Sequence, residues 1–301
     1  MNNKRRLFST VLCVAALTAG LFVSGCGSDK AGGIGSVVSS VVDGGDEKAA
    51  AKLNTLIDAT NRFNSDNASF AQFQAEGLAK LKGGFAEGAI ANQPHFDRLQ
   101  ADLEKAKKEG STFKEVDAER DNVLNILNEL VPVYKDLTAY DDSKAYMNDG
   151  GAKGKELAAK YVAAVEKFDA AYAKFNETLN KVNAEQSKKQ IEKLKKDGKK
   201  GYAAAMESTL RLTELVDKLE KAPQNADKAA VEKELSEIEA LLKSINNDRG
   251  QVLADRYNSV VGDVRQVLAN PSDNNLNNMI EGFNGYIDTY NSTTPDQFDA
   301  K

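Results

Sequence analysis

The chain has 301 residues, 40 basic and 45 acidic, with 41% hydrophobic and 28% charged residues. This is a globular composition with enough apolar residues for a sizeable core, not a disordered one. Two Cys exclude a disulfide-rich scaffold, one His excludes a His-based metal cluster, and the acidic balance argues against a general nucleic-acid binder.

In chain order, Lys4, Arg5 and Arg6 precede an uncharged stretch from Leu7 to Val23. A basic segment before an apolar one is the pattern of a secretory signal, here residues 1–25. Val23-Ser24-Gly25-Cys26 follows and resembles the lipobox of bacterial lipoproteins. Small residues before the cut admit the peptidase, and the thiolate at the first mature position is the nucleophile that takes up a diacylglyceryl group. The resemblance implies that Cys26 becomes the N-terminal residue and carries acyl chains such as palmitate. An uncleaved anchor is the alternative, because about 17 uncharged residues lie at the lower limit for a spanning helix. Cleavage removes Cys13, so the mature chain forms no internal disulfide. It also removes three basic residues, leaving 37 basic against 45 acidic, a net of −8. Membrane attachment then rests on the lipid, and stable anchoring takes more than one acyl chain. Gly27, rather than Asp, follows Cys26. By the same resemblance, in a two-membrane bacterium this permits export to the outer membrane, facing the periplasm.

Residues 26–46 read as the acylated Cys and a tether. Gly and Ser punctuate the stretch, which marks a flexible linker, and 20 such residues have a root-mean-square reach of roughly 25 Å. Gly32-Gly33-Ile34-Gly35 is no phosphate loop, since no strand precedes it and no Lys-Ser/Thr follows.

From residue 47 to 293 the pattern is helical. Apolar residues recur at spacings of three and four: Leu53, Leu56, Ile57, Thr60, Phe63; then Val123, Leu127, Leu130, Tyr134, Leu137. The clearest stripe runs from Leu157 through Tyr161, Val165, Phe168, Tyr172, Phe175 and Leu179 to Val182, about 39 Å of helix. Four more begin at Leu210, Val231, Leu253 and Leu276. Breaks are predicted at Gly83-Gly84, Gly110, Asn148 to Gly151, Pro223 and Asn270-Pro271, with Ser111, Asp227 and Ser272 as N-caps. Pro132 inside a strong pattern should kink its helix. A short helix is expected around 69–81, then a loop. No period-2 strand is convincing. The expectation is an all-α fold, an elongated multi-helix bundle of long amphipathic helices, with residues 294–301 as a C-terminal tail.

Leu53 to Asn61 and Phe283 to Asn291 share a phrase: Asn54, Ile57, Asp58 and Asn61 match Asn284, Ile287, Asp288 and Asn291. Asn residues seven apart lie on one helix face. Two readings stay open. The first and last helices pack through matching polar contacts, or Asn54, Asp58, Asn61, Asn284, Asp288 and Asn291 line a polar ligand site between them. Lipobox, tether and this phrase, with Lys196 to Tyr202 opening a late helix, resemble the YiiG-like family of bacterial lipoproteins. That resemblance implies a helical domain of unknown function over roughly residues 47–293, and it supplies no catalytic residues.

Motifs for chemistry are few. His95 has no partner ligand in sequence, which also weakens an imelysin-like iron-binding reading. No Ser-His-Asp or Cys-His set is available. Glu115 with Glu119, and Glu232 with Glu239, read as solvated helix faces. Asp141, Asp142 and Asp149 lack the Gly and Glu of a calcium loop. No metal or cofactor motif is read, and the chain is not expected to be an enzyme. One run opposes the overall sign: Lys188, Lys189, Lys193, Lys195, Lys196, Lys199 and Lys200. It is a solvated helix end, or it contacts an anionic envelope surface or partner. The function this supports is a membrane-held envelope lipoprotein that binds a protein partner without catalysis, with the small-ligand module as the alternative.

Overall fold

The computed structural model describes residues 46–300 except 69, 92, 111 and 112, and within α-helices omits the side chains of 46–50, 65, 68 and 71. The signal segment, Cys26, the tether and the Ser111 cap lie outside the described residues. The described chain is all-α. Its helices are α1 (Asp46–Ala68), α2 (Ala71–Lys82), α3 (Phe96–Lys108), α4 (Lys114–Asp142), α5 (Tyr146–Asp149), α6 (Ala152–Lys196), α7 (Lys200–Lys221), α8 (Lys228–Lys243), α9 (Asp248–Ala269), α10 (Asp273–Asn291) and α11 (Pro295–Phe298), with one 3-10 turn at Pro223–Asn225. No strand occurs among the described residues.

The predicted stripes are mostly buried faces, with Tyr134 and Leu276 only half-buried. Leu53, Leu56, Ile57, Thr60 and Phe63 of α1 are all under 9% exposed, as are Leu157 through Val182 along the α6 stripe. α6 continues well past that stripe, to Lys196, and α4 runs through Pro132 as one element. Asp227 caps α8 by accepting from the Ala229 and Ala230 N–H groups, and Ser272 accepts from Asn275 N–H at the start of α10. Asn247 does the same for α9 through Arg249 and Gly250.

Contacts divide the described chain into two compact units, residues 55–182, and residues 183–300 together with 46–54. In the first, side-chain pairs fix antiparallel neighbours, because one residue number rises as the other falls. Thr55 meets Glu109, Arg62 meets Asp102 and Asp66 meets Arg98, so α1 and α3 are antiparallel. Gln100 with Asn128 and Lys107 with Asp121 do this for α3 and α4. Tyr134 with Tyr161 and Glu119 with Lys174 do it for α4 and α6. It follows that α6 runs antiparallel to α1. The core there is aromatic: Phe63 lies 5.9 Å from Phe168 and 5.4 Å from Tyr172, both edge-on, and Phe96 lies 5.0 Å from Phe168. Edge-to-face pairs set the partial positive ring rim against a neighbouring face.

In the second unit α6 and α7 form an antiparallel hairpin, pinned by Lys188 to Glu214 and Lys195 to Glu207. The turn between them needs Gly198 at φ 78°. The Tyr286 hydroxyl on α10 sits 3.2 Å and 3.1 Å from the buried hydroxyls of Ser208 and Thr209 on α7. Residues 294–301, a tail by sequence, carry α11, whose Phe298 is 2% exposed and stacks 6.0 Å from both Tyr202 and Tyr290.

Candidate functional site

The repeated phrase divides between the units: Asp58 and Asn61 lie in the first, and Asn54 lies with Asn284, Asp288 and Asn291 in the second, so each part is taken within its own. In α1, Asp58 and Asn61 flank the apolar stripe, neither fully buried nor fully exposed. Burial pushes the Asp58 carboxyl up to about 6, against a smaller lowering by Arg62 one turn on. The neighbouring turn makes the contact with α6: Tyr172 donates its hydroxyl to Asn64 Oδ1 at 2.9 Å in a buried setting. Asn54, at the other end of the phrase, is half-buried. In α10, Asn284 and Asn291 flank the buried residues Phe283, Ile287 and Tyr290, whereas Asp288 is exposed. Asn284 Oδ1 is buried and has no hydrogen-bond partner among the described residues.

Sequence reasoning missed a second polar flank, on α6. Asp169, Asn176, Asn180, Asn183, Ser187 and Gln190 follow spacings of seven, four and three beside the apolar stripe. Asp169 Oδ2, Asn176 Oδ1, Asn180 Oδ1 and Ser187 Oγ are buried without a hydrogen-bond partner among the described residues. Desolvation raises the Asp169 carboxyl to about 7; Lys82 on α2 opposes the shift and Glu166 on its own helix adds to it. The signal lies in the sequence as Asn176 and Asn180, four apart and so on one helix face.

A buried relay in the first unit was also missed. Tyr161 donates to Gln93 Oε1 at 2.8 Å, Gln93 Nε2 donates to the Gln74 carbonyl, and Gln74 Nε2 donates to Asn67 Oδ1 at 3.0 Å. Gln93 and Gln74 are 3% and 1% exposed, so the relay satisfies groups that would otherwise be costly to bury. Asn67, Gln74 and Gln93 lie between residues 64 and 93, where no clean apolar stripe exists to orient a reading.

Of the other carboxylates singled out by sequence, Glu115 and Asp142 are exposed, and the rest have partners that explain them. Asp149 accepts from the Tyr140 hydroxyl at 2.6 Å and from the Gly151 and Lys153 N–H groups, capping α6. The Tyr140 bond, with those backbone donors, lowers its pKa. Asp141 accepts from Gly88 N–H. Glu119 pairs with Lys174, Glu232 with Arg265 and Glu239 with Lys243. His95 is exposed at the N-cap of α3. No group of three His, Cys, Asp or Glu among the described residues is arranged to hold a metal ion.

The lysine run divides in two. Lys188 pairs with Glu214, Lys195 with Glu192 and Glu207, and Lys199 with Asp296. Lys189, Lys193, Lys196 and Lys200 make no ion pair among the described residues. Large apolar side chains are mostly inside, but Phe70 and Phe73, one turn apart where α1 gives way to α2, are 44% and 59% exposed. In the second unit, a cleft of about 380 Å³ opens beside Gly201, Asn246, Asn247 and Asp299. Asn247 Nδ2 there donates to the carbonyls of Gln297, Phe298 and Ala300. Asp299 accepts from Gly201 N–H at 2.7 Å.

Residues 47–270 match the family model described as Protein of unknown function (DUF3829), and the chain belongs to that family. No curated protein and no solved structure matches it. The matched stretch ends before α10, yet Phe283, Tyr286 and Phe298 are core residues of the second unit. No described helix is long and apolar enough to cross a membrane.

Proposed function

We propose that this member of the family is a YiiG-like envelope lipoprotein, released from its signal segment, acylated at Cys26, and bound to a protein partner rather than catalysing a reaction. In a two-membrane bacterium, Gly27 after Cys26 supports the outer membrane, on its periplasmic side. The observation that carries partner binding is the Phe70–Phe73 pair. Two large aromatics exposed one turn apart are unusual beside a core that buries Phe63, Phe96 and Phe168. Aromatic anchors of this kind supply much of the energy of protein interfaces. The pair follows the C-terminal end of α1, with Phe70 in the turn before α2 and Phe73 in its first turn.

A photo-crosslinking residue placed at Phe73 in cells tests this. One envelope protein captured reproducibly, and lost with Phe70→Ser, is the expected result. Capture of only a second copy, or of nothing, overturns it.

A second reading keeps the small-ligand module. Its support is the pair of unbonded buried acceptors at Asn176 and Asn180, four apart on α6. A small molecule carried through native mass spectrometry of the purified chain, and lost with Asn180→Leu, is what that reading requires.

A further inference from the structure

We infer that Lys189, Lys193 and Lys196 at the end of α6, with Lys200 opening α7, form a face that rests on the anionic headgroups of membrane lipid. The inference takes its membrane from the reading of Cys26 as the lipid-bearing residue, and it adds an orientation to it.

The three α6 lysines follow at spacings of four and three, so they share one side of the helix over about 10 Å. Ile191 and Leu194 face the other way, 3% and 1% exposed. The neighbouring lysines of the run are held in ion pairs with Glu192, Glu207, Glu214 and Asp296. On α6 and in the turn before α7, the acids outside those pairs are Glu185, one turn before Lys189, and Asp197; Asp299 accepts from Gly201 N–H next to Lys200. A cluster of unpaired cations in a chain of net negative charge creates a local potential of the opposite sign.

Position decides what that potential meets. The described chain enters α1 at Asp46, and residues 46–54 fall in the same compact unit as residues 183–196, which carry the three α6 lysines. Cys26 and Asp46 stand 20 residues apart, and the linker expected there by sequence would have a reach of roughly 25 Å. Attraction of lysine to an anionic surface fades within a Debye length, about 10 Å at moderate salt, so a cationic face works only at the end held near the bilayer. The net charge of −8 rules this face out as the anchor. Its effect is to choose which end of the helices lies against the lipid.

The test is lysine footprinting of the full chain, reconstituted into vesicles of phosphatidylcholine alone or mixed with phosphatidylglycerol. In the mixed vesicles Lys189, Lys193, Lys196 and Lys200 should acetylate roughly fivefold more slowly, as expected for close electrostatic contact. Lys105 and Lys228 should not change, and high salt should abolish the difference. Equal rates in the two vesicles would overturn the inference. So would protection that appears only when an envelope protein fraction is added, which would assign the face to an acidic protein. The intact mass of the same sample reads acylation at Cys26 separately. An acylated chain with equal lysine rates sinks this inference alone, and protected lysines on an unacylated chain sink the anchoring reading alone.

Discussion

Tyr172 donates its hydroxyl to Asn64 Oδ1 at 2.9 Å, and this buried bond joins the first helix of the domain to its longest. It lies beside the edge-on contacts of Tyr172 and Phe168 with Phe63. Apolar packing tolerates small slips between helices, whereas a buried hydrogen bond does not, because either partner displaced is left unsatisfied.

Tyr172→Phe should therefore lower stability by about 1–3 kcal/mol, the cost of stranding the Asn64 oxygen. The double change Tyr172→Phe with Asn64→Leu should recover much of that loss, since both polar partners are then gone. Urea unfolding of the two variants measures the difference. A double variant as unstable as the sum of its singles would show that the bond does not set the register.

Asp169 makes stability respond to pH in the direction opposite to ordinary acid unfolding. Its carboxyl titrates at about 7 when folded and at 3.8 when free. Above pH 7 the folded state holds a desolvated carboxylate; as pH falls through 7 that state takes up a proton which the unfolded chain binds only near 3.8. The contribution is fully present below 3.8 and is lost as pH rises through 7. Asp58, at about 6, acts in the same sense. Asp169→Asn should be more stable than the parent at pH 8, by on the order of a few kcal/mol, and the gap should close toward pH 4. Melting temperatures across that range decide it; a gap that widens on acidification contradicts the account.

Phe298 closes the second unit. Phe298→Ala should cost about 3–5 kcal/mol, as large-to-small changes at buried aromatics do. Gly201→Ala should free the same segment by another route, because a Cβ there would stand 2.1 Å from the Phe298 carbonyl oxygen. Both variants should lose residues 295–300 to carboxypeptidase faster than the parent. Unchanged trimming in Gly201→Ala would mean that the close approach is not what holds the segment.

The helices were legible because their apolar stripes keep the helical period and their outer faces are charged. Asp227 and Ser272 were recognisable as caps for the same local reason, a short polar acceptor before a periodic run. The full length of α6 was not legible: past Val182 the stripe gives way to Asn183 and Ser187, which are buried at 7% and 2% exposure but carry no apolar signal. Gln74 and Gln93 were invisible, since their burial depends on partners 19 residues apart in a stretch without a stripe. Phe298 was a lone aromatic near the end of the chain, and only the three-dimensional position of Tyr202 and Tyr290 explains its burial. Of the candidate site, the residues of the α1 phrase were legible and the polar flank of α6 was not. The lysine run was visible, but its division into paired and unpaired members depends on acids as remote as Asp296.

Attachment through Cys26 underlies the whole account, and the most direct measurement is the mass and fractionation of the chain made in a bacterial cell, beside its Cys26→Ala variant. The account predicts a membrane-bound chain that begins at Cys26 and carries more than one acyl chain, and a variant that is neither acylated nor cut at residue 26. A parent chain that starts at Met1, or one that starts at Cys26 with a bare thiol, would contradict it.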